Sequence, residues 1–175
     1  GLPILDGNIR GRVRLSSGKG EVEFDLEEAQ IEQLPKGLPA NMTAKGSWDG
    51  QALRLQSNLT FGTKSTPIMI TSNLPMKPAA GGLPLPDLKG QSSSRVQYDG
   101  DISGLFALAG KADQTLNGTT RIDLNIGGSV VGNQYINGQI NISGGTYRHL
   151  IQGTYITNLT VNSQIIDSKE LKLVL

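Results

Sequence analysis

The sequence predicts an all-β fold, a sheet or sheets curled around an open apolar groove, with one or two short helices. Three observations lead there. Apolar and polar residues alternate with a period of two along most of the chain. Glycine contributes 23 residues and proline 8, a composition suited to many strands and turns rather than a helical bundle. Only 5% of residues are aromatic. The alternating apolar set is therefore mostly Ile, Leu and Val, which line a surface more readily than they fill a thick core.

The first strand reads from Ile9, Gly11, Val13 and Leu15, which alternate with Asn8, Arg10, Arg12 and Arg14. Val22, Phe24 and Leu26 then alternate with Glu21, Glu23, Asp25 and Glu27, and residues 27–34 have the composition of one helical turn. Met42, Ala44, Gly46 and Trp48 lead to Asp49-Gly50, a hairpin signal, with Leu53, Leu55, Leu59 and Phe61 on the return. Ile68 and Ile70 follow. Four prolines and Gly81-Gly82 mark residues 74–90 as a Pro/Gly-rich loop outside the sheet, because proline removes ladder donors.

Alternation resumes at Val96 and Tyr98, with Asp99-Gly100 as a second turn. Leu105, Leu108, Ala109, Ala112 and Leu116 have helical spacing and suggest one short amphipathic helix. Strands return at Ile122–Ile126, Ile136–Ile142, Leu159–Ile165 and Leu171–Leu175. The reading gives roughly ten to twelve strands in a single domain spanning residues 1–175. The chain opens at Gly1-Leu2-Pro3 and stops inside an alternating run. It reads as a piece of a longer protein, with any anchor or targeting signal outside it.

Composition excludes several functions. The net charge is +1 with both signs well mixed, so no basic stripe awaits a phosphate backbone, and nucleic acid is not an expected partner. Cysteine is absent, which removes disulfides, thiolate metal sites and cysteine nucleophiles. No apolar run approaches the ~20 residues of a membrane helix. His149 is the only histidine. Beside Arg148 in a turn it reads as a solvated residue rather than a member of a Ser-His-Asp triad. Histidine or cysteine metal clusters cannot form. The acidic run Glu21–Glu28 has strand spacing and reads as a solvated face, not a calcium loop. Gly18-Lys19-Gly20, Gly127-Gly128 and Gly144-Gly145 lack the phosphate-binding patterns and read as strand ends and bulges. Asn41, Asn58, Asn117, Asn141 and Asn158 begin Asn-x-Ser/Thr triplets, which polar strand faces also produce. The expectation is a protein with no catalytic site, cofactor or metal.

One segment carries a family pattern. Leu116-Asn117-Gly118 precedes the strand Arg121–Ile126 and Gly127-Gly128. Then comes Ile136-Asn137-Gly138-Gln139-Ile140-Asn141-Ile142-Ser143-Gly144-Gly145-Thr146-Tyr147, followed by Gly153-Thr154 and the strand Ile156–Val161. This resembles the C-terminal region of the TamB family, the inner-membrane component of the translocation and assembly module. The resemblance covers roughly residues 101–166; Asn133-Gln134-Tyr135 departs from it where a proline-containing approach is usual. It implies a β-taco, a sheet curled into an apolar groove, in a parent anchored in the inner membrane and spanning the periplasm. It further implies a TamA-like outer-membrane barrel as partner. The implied roles are assembly of autotransporters and other outer-membrane proteins, and phospholipid transfer between the membranes.

The expected groove wall is Leu124, Ile126, Ile140, Ile142, Leu159 and Val161 in the family-like segment, with Val22, Phe24, Leu53 and Leu55 before it. Each occupies the apolar parity of its strand. Phospholipid acyl chains or unfolded outer-membrane protein strands are the expected cargo. The residues alone also accommodate a closed sandwich, which would make the chain a structural or adhesive extracellular domain with no conduit role.

Overall fold

The computed structural model describes residues 4–16, 19–32, 35, 38–62, 65–78, 84–109, 111–129 and 131–169. Its strands are β1 (Ile4–Ser16), β2 (Lys19–Ile31), β3 (Ala40–Trp48), β4 (Ala52–Phe61), β5 (Ile68–Pro78), β6 (Pro84–Pro86), β7 (Ser92–Asp101), β8 (Gln114–Gly128), β9 (Gln134–His149) and β10 (Thr154–Ser168). They form one antiparallel sheet in the order β1-β2-β3-β4-β5-β7-β8-β9-β10, with β6 paired to β5. The sheet is not closed: β1 and β10 are its edges. The chain is all-β, and its described strands make one sheet rather than the two layers of a sandwich.

Local chemistry fixes the meander. At the β3–β4 hairpin, Gly50 has φ 99°, and the Asp49 carboxylate accepts from the Gln51 and Ala52 amides at 3.1 and 3.0 Å. Those two backbone bonds, with Arg54 at 2.8 Å, hold the Asp49 pKa below its usual value. The hairpin is where the Asp-Gly pair placed it.

Four local expectations need correction. Asp99-Gly100 is not a turn; both residues stay in β7, opposite Arg121 and Thr120. A Cβ on Gly100 would come 2.6 Å from Thr66 Oγ1, so this glycine serves a close approach. Residues 74–90 are not all loop. β5 continues through Leu74 and Pro75 to Pro78, and β6 pairs with its end. The prolines sit where the ladder is ending: Pro75 opposes Ala52, the first residue of β4, and its carbonyl accepts from the Asp87 amide at 2.8 Å. The Gly81-Gly82 part of that expectation lies outside the described residues, as does the Leu171–Leu175 strand.

The helix is also shorter than its spacing suggests. α1 covers only Ile102–Phe106, capped by Asp101, and a 3-10 turn follows over Ala107–Ala109. Leu116 belongs to β8. Residues 27–31 remain strand, with Glu28 bulged at φ 51° and its amide donating to Asn41 Oδ1 at 2.8 Å.

Two small hydrophobic clusters form, both towards the same end of the strands. Leu26, Ala29 and Ala40 pack with Phe24, Ile31, Met42, Leu59 and Phe61. Ile102 of α1 packs on Leu116 and Ile142, joined by Leu105, Phe106, Tyr147, Leu159 and Val161. Between and beyond these clusters the sheet has no second layer among the described residues.

Candidate functional site

Residues directly opposite in an antiparallel ladder share a face, so the register assigns every side chain to one of two surfaces. One row crosses the whole sheet: Gly11, Phe24, Ala44, Ser57, Ile70, Val96, Leu124, Gly138 and Ile165. The row beside it is Val13, Val22, Gly46, Leu55, Ser72, Ser94, Ile126, Ile136 and Ser168. Neither row contains a charge. The neighbouring positions of that face, including Ile9, Leu26, Met42, Leu59, Ile122, Ile140 and Ser163, are likewise uncharged.

All ten expected wall residues lie on this face. They are not equally free. Leu124 and Ile142 are buried, at 7% and 2% exposure, while the other eight are half-buried. Ile142, Leu159 and Val161 are engaged beneath α1, and Phe24 leans on the Leu26 cluster. Val22, Leu53, Leu55, Ile126 and Ile140 belong to neither hydrophobic cluster. Met42, Leu59, Ile70, Val96 and Ile122 share the face and were legible by the same parity.

Small residues alternate with large ones here. Phe24 stands between Gly11 and Ala44, and Leu55 beside Gly46. A Cβ on Gly46 would fall 2.5 Å from Leu55 Cδ2, so the leucine occupies the space the glycine leaves. Leu124 faces Gly138, whose φ of +146° brings its backbone close to Asp123.

The opposite face is mostly polar, with exposed exceptions such as Met69 and Tyr135. Arg10, Arg12 and Arg14 of β1 approach Glu27, Glu23 and Glu21 at 3.5, 3.9 and 3.9 Å, and Lys45 reaches Glu23 at 3.7 Å. The acidic run of β2 is thus a solvated face between two cationic strands. Arg95 grips Asp123 with two hydrogen bonds, which hold the Asp123 carboxyl below its ordinary pKa. Arg121 reaches Asp99 at 2.9 Å. Exposed ion pairs of this kind contribute little stability but keep this side wet.

Several hollows mark the surface, two of which bear on the groove. One of 360 Å³, beneath the α1 end, is lined by Pro35 from the β2–β3 connection together with Phe106, Ala107 and Leu116. A larger one of 690 Å³ lies on the polar face among Asn125, Gln139, Asn141 and Gln164, and offers amides rather than an apolar wall. Among the described residues no cluster of histidine, cysteine, aspartate and glutamate could hold a metal ion, and no helix is long and apolar enough to cross a membrane. His149 is less solvated than a turn position suggests. Its side chain is 12% exposed, 3.5 Å from Asp113, and accepts from the Gln152 amide. Searched against protein-family models, curated proteins and solved structures, the chain has no match in any of the three.

Proposed function

We propose that the uncharged face is the wall of an open apolar groove that carries hydrophobic cargo, as the TamB resemblance of residues 101–166 implies. The observation that carries the reading is the face itself. It crosses nine strands without one charged side chain in its two central rows, and among the described residues no second sheet covers it. Eight strand spacings of ~4.8 Å make a path of about 38 Å, longer than one leaflet of a ~30 Å hydrocarbon core.

Curling is supported by exposure. In β4 the uncharged Leu53, Leu55 and Ser57 are half-buried while Arg54, Gln56 and Asn58 between them are exposed. It is supported again by Pro35 of the β2–β3 connection sharing a hollow with Phe106 of α1 and Leu116 of β8, several strands away. Transfer along such a wall needs no catalyst. Each buried CH₂ is worth about 0.8 kcal/mol, so an acyl chain in the groove keeps roughly what it had in the bilayer.

In this reading the chain is a periplasmic part of an inner-membrane-anchored protein. Its groove serves phospholipid transfer between the membranes and the assembly of autotransporters and other outer-membrane proteins, working with a TamA-like barrel. Native mass spectrometry of the chain, purified without detergent, tests the cargo. Adducts of phospholipid mass, or of unfolded outer-membrane protein segments, are expected. A bare chain under conditions that preserve lipid adducts on a control carrier would overturn the reading and favour a structural or adhesive role.

A further inference from the structure

We propose that the tip of the β9–β10 hairpin is a lipid-surface anchor, which inserts Leu150 and Ile151 into the interface of an anionic bilayer leaflet. The inference rests on the turn and not on the groove's cargo. Leu150, Ile151, Tyr155 and Ile156 are 60%, 81%, 58% and 44% exposed, and Ile151 is the most open large apolar side chain among the described residues. Leu150 and Ile151 occupy the turn between two paired strands, so a further strand laid along β10 would leave them projecting. The turn is held in shape. The Leu150 amide donates to the Asp113 carbonyl at 2.8 Å, the Gln152 amide donates to His149 Nδ1 at 3.3 Å, and Gly153 supplies a φ of +66°. Four large apolar side chains are thus presented to water on a fixed loop, a contiguous patch of the kind that marks an interaction site.

The surroundings of the tip select lipid. Along most of the sheet one face is uncharged and the other polar, but here both carry apolar side chains. Ile156 pairs with Tyr147 and shares its face with Leu116, whereas Tyr155 pairs with Arg148 and lies on the reverse side. A protein partner laid on one face would leave the other wet; a medium that surrounds the tip takes up both faces and the turn between them. Arg148 and Tyr155 form a collar behind the tip, with the guanidinium 5.3 Å from the ring centroid. Such a pair suits the headgroup layer, where the ring stays at the interface and the guanidinium meets phosphate. From Arg148 to Ile151 the extended chain spans at most ~10 Å, the depth at which interfacial segments sit. Residues 148–156 contain no carboxylate, and the Asp113 carboxylate beside them faces His149 at 3.5 Å. The charge of the tip is therefore that of Arg148, which favours an anionic leaflet.

Flotation of the whole chain with vesicles tests this. The chain is expected to float with an equal mixture of phosphatidylcholine and phosphatidylglycerol, and more weakly with phosphatidylcholine alone. Ile151→Asp should weaken binding to the mixed vesicles at least tenfold, and Arg148→Gln about fivefold, with circular dichroism confirming an intact sheet. The chain has no cysteine, so Ile151→Cys and Asn125→Cys each carry a single environment-sensitive fluorophore. The label at 151 should brighten on vesicles and be quenched by nitroxide lipids; the label at 125, on the polar face, should do neither. Ile151→Asp should still take up monomeric fluorescent phospholipid as the native chain does, and failure of the groove reading alone would leave flotation intact. A native chain that stays in solution, flotation that Ile151→Asp retains in full, or a label at 151 that remains in water would each overturn the proposal. So would dimerisation that brightens the label at 151 without vesicles, which would make the tip a protein contact.

Discussion

Asp101 shows how one side chain joins three elements. It ends β7, caps α1 through the Ser103 amide at 2.7 Å, and accepts from the Gly118 amide of β8 at 3.3 Å. Burial raises its pKa, but the hydrogen bonds from Ser103 and Gly118 outweigh that, and the net value lies below the usual 3.8. A depressed pKa means the stabilisation is complete above the unfolded value and is lost as pH falls through the folded one. Asp101→Ala should cost about 1 kcal/mol at neutral pH. In urea unfolding the gap from wild type should close below about pH 4; a gap independent of pH would contradict the cap. Gly138 is a second fixed point. Its φ of +146° excludes ordinary side chains, and a Cβ would strike the Asp123 backbone. Gly138→Ala should therefore destabilise by about 1–3 kcal/mol, read as a lower Tm.

At the scale of elements, the two kinds of apolar position separate experimentally. Leu55 is half-buried and in neither hydrophobic cluster, so Leu55→Arg can bend its stem and keep its charge in water. Its Tm should fall by only a few degrees, on the order of 1 kcal/mol. Leu116, at 1% exposure, and Ile142, at 2%, lie under α1, where an arginine has no route out. Leu116→Arg and Ile142→Arg should lose the cooperative transition altogether, since an unpaired buried charge costs several kcal/mol. Leu124, at 7%, belongs with these rather than with Leu55. Equal losses at all four positions would mean the middle of the face is as closed as its end. The strands and their shared face were legible because period-two parity survives any register. What parity could not show was where layers cover the face. Leu116 illustrates the difficulty: its spacing from Leu108 and Ala112 is helical, while its spacing from Thr120, Ile122 and Leu124 is that of a strand. Long-range pairing with Tyr147 decides for the strand. Asp99-Gly100 misled for a related reason: glycine at a close approach and glycine in a turn look alike in sequence.

The described residues make a sheet with an uncharged side and a charged side and two small clusters at one end. Such a sheet leaves much aliphatic surface half-exposed, and most chains of this length bury theirs in a common core. Under the proposed function, occupation by cargo would account for that surface, and the end clusters would account for how the fold stands without it. The most direct measurement is equilibrium binding of a fluorescent phospholipid to the purified, detergent-free chain, with Leu55→Arg and Val22→Arg alongside. The account predicts saturable binding by the native chain, and binding at least tenfold weaker in both variants while their Tm stays within a few degrees. Absence of binding, or binding that both variants retain in full, would contradict it.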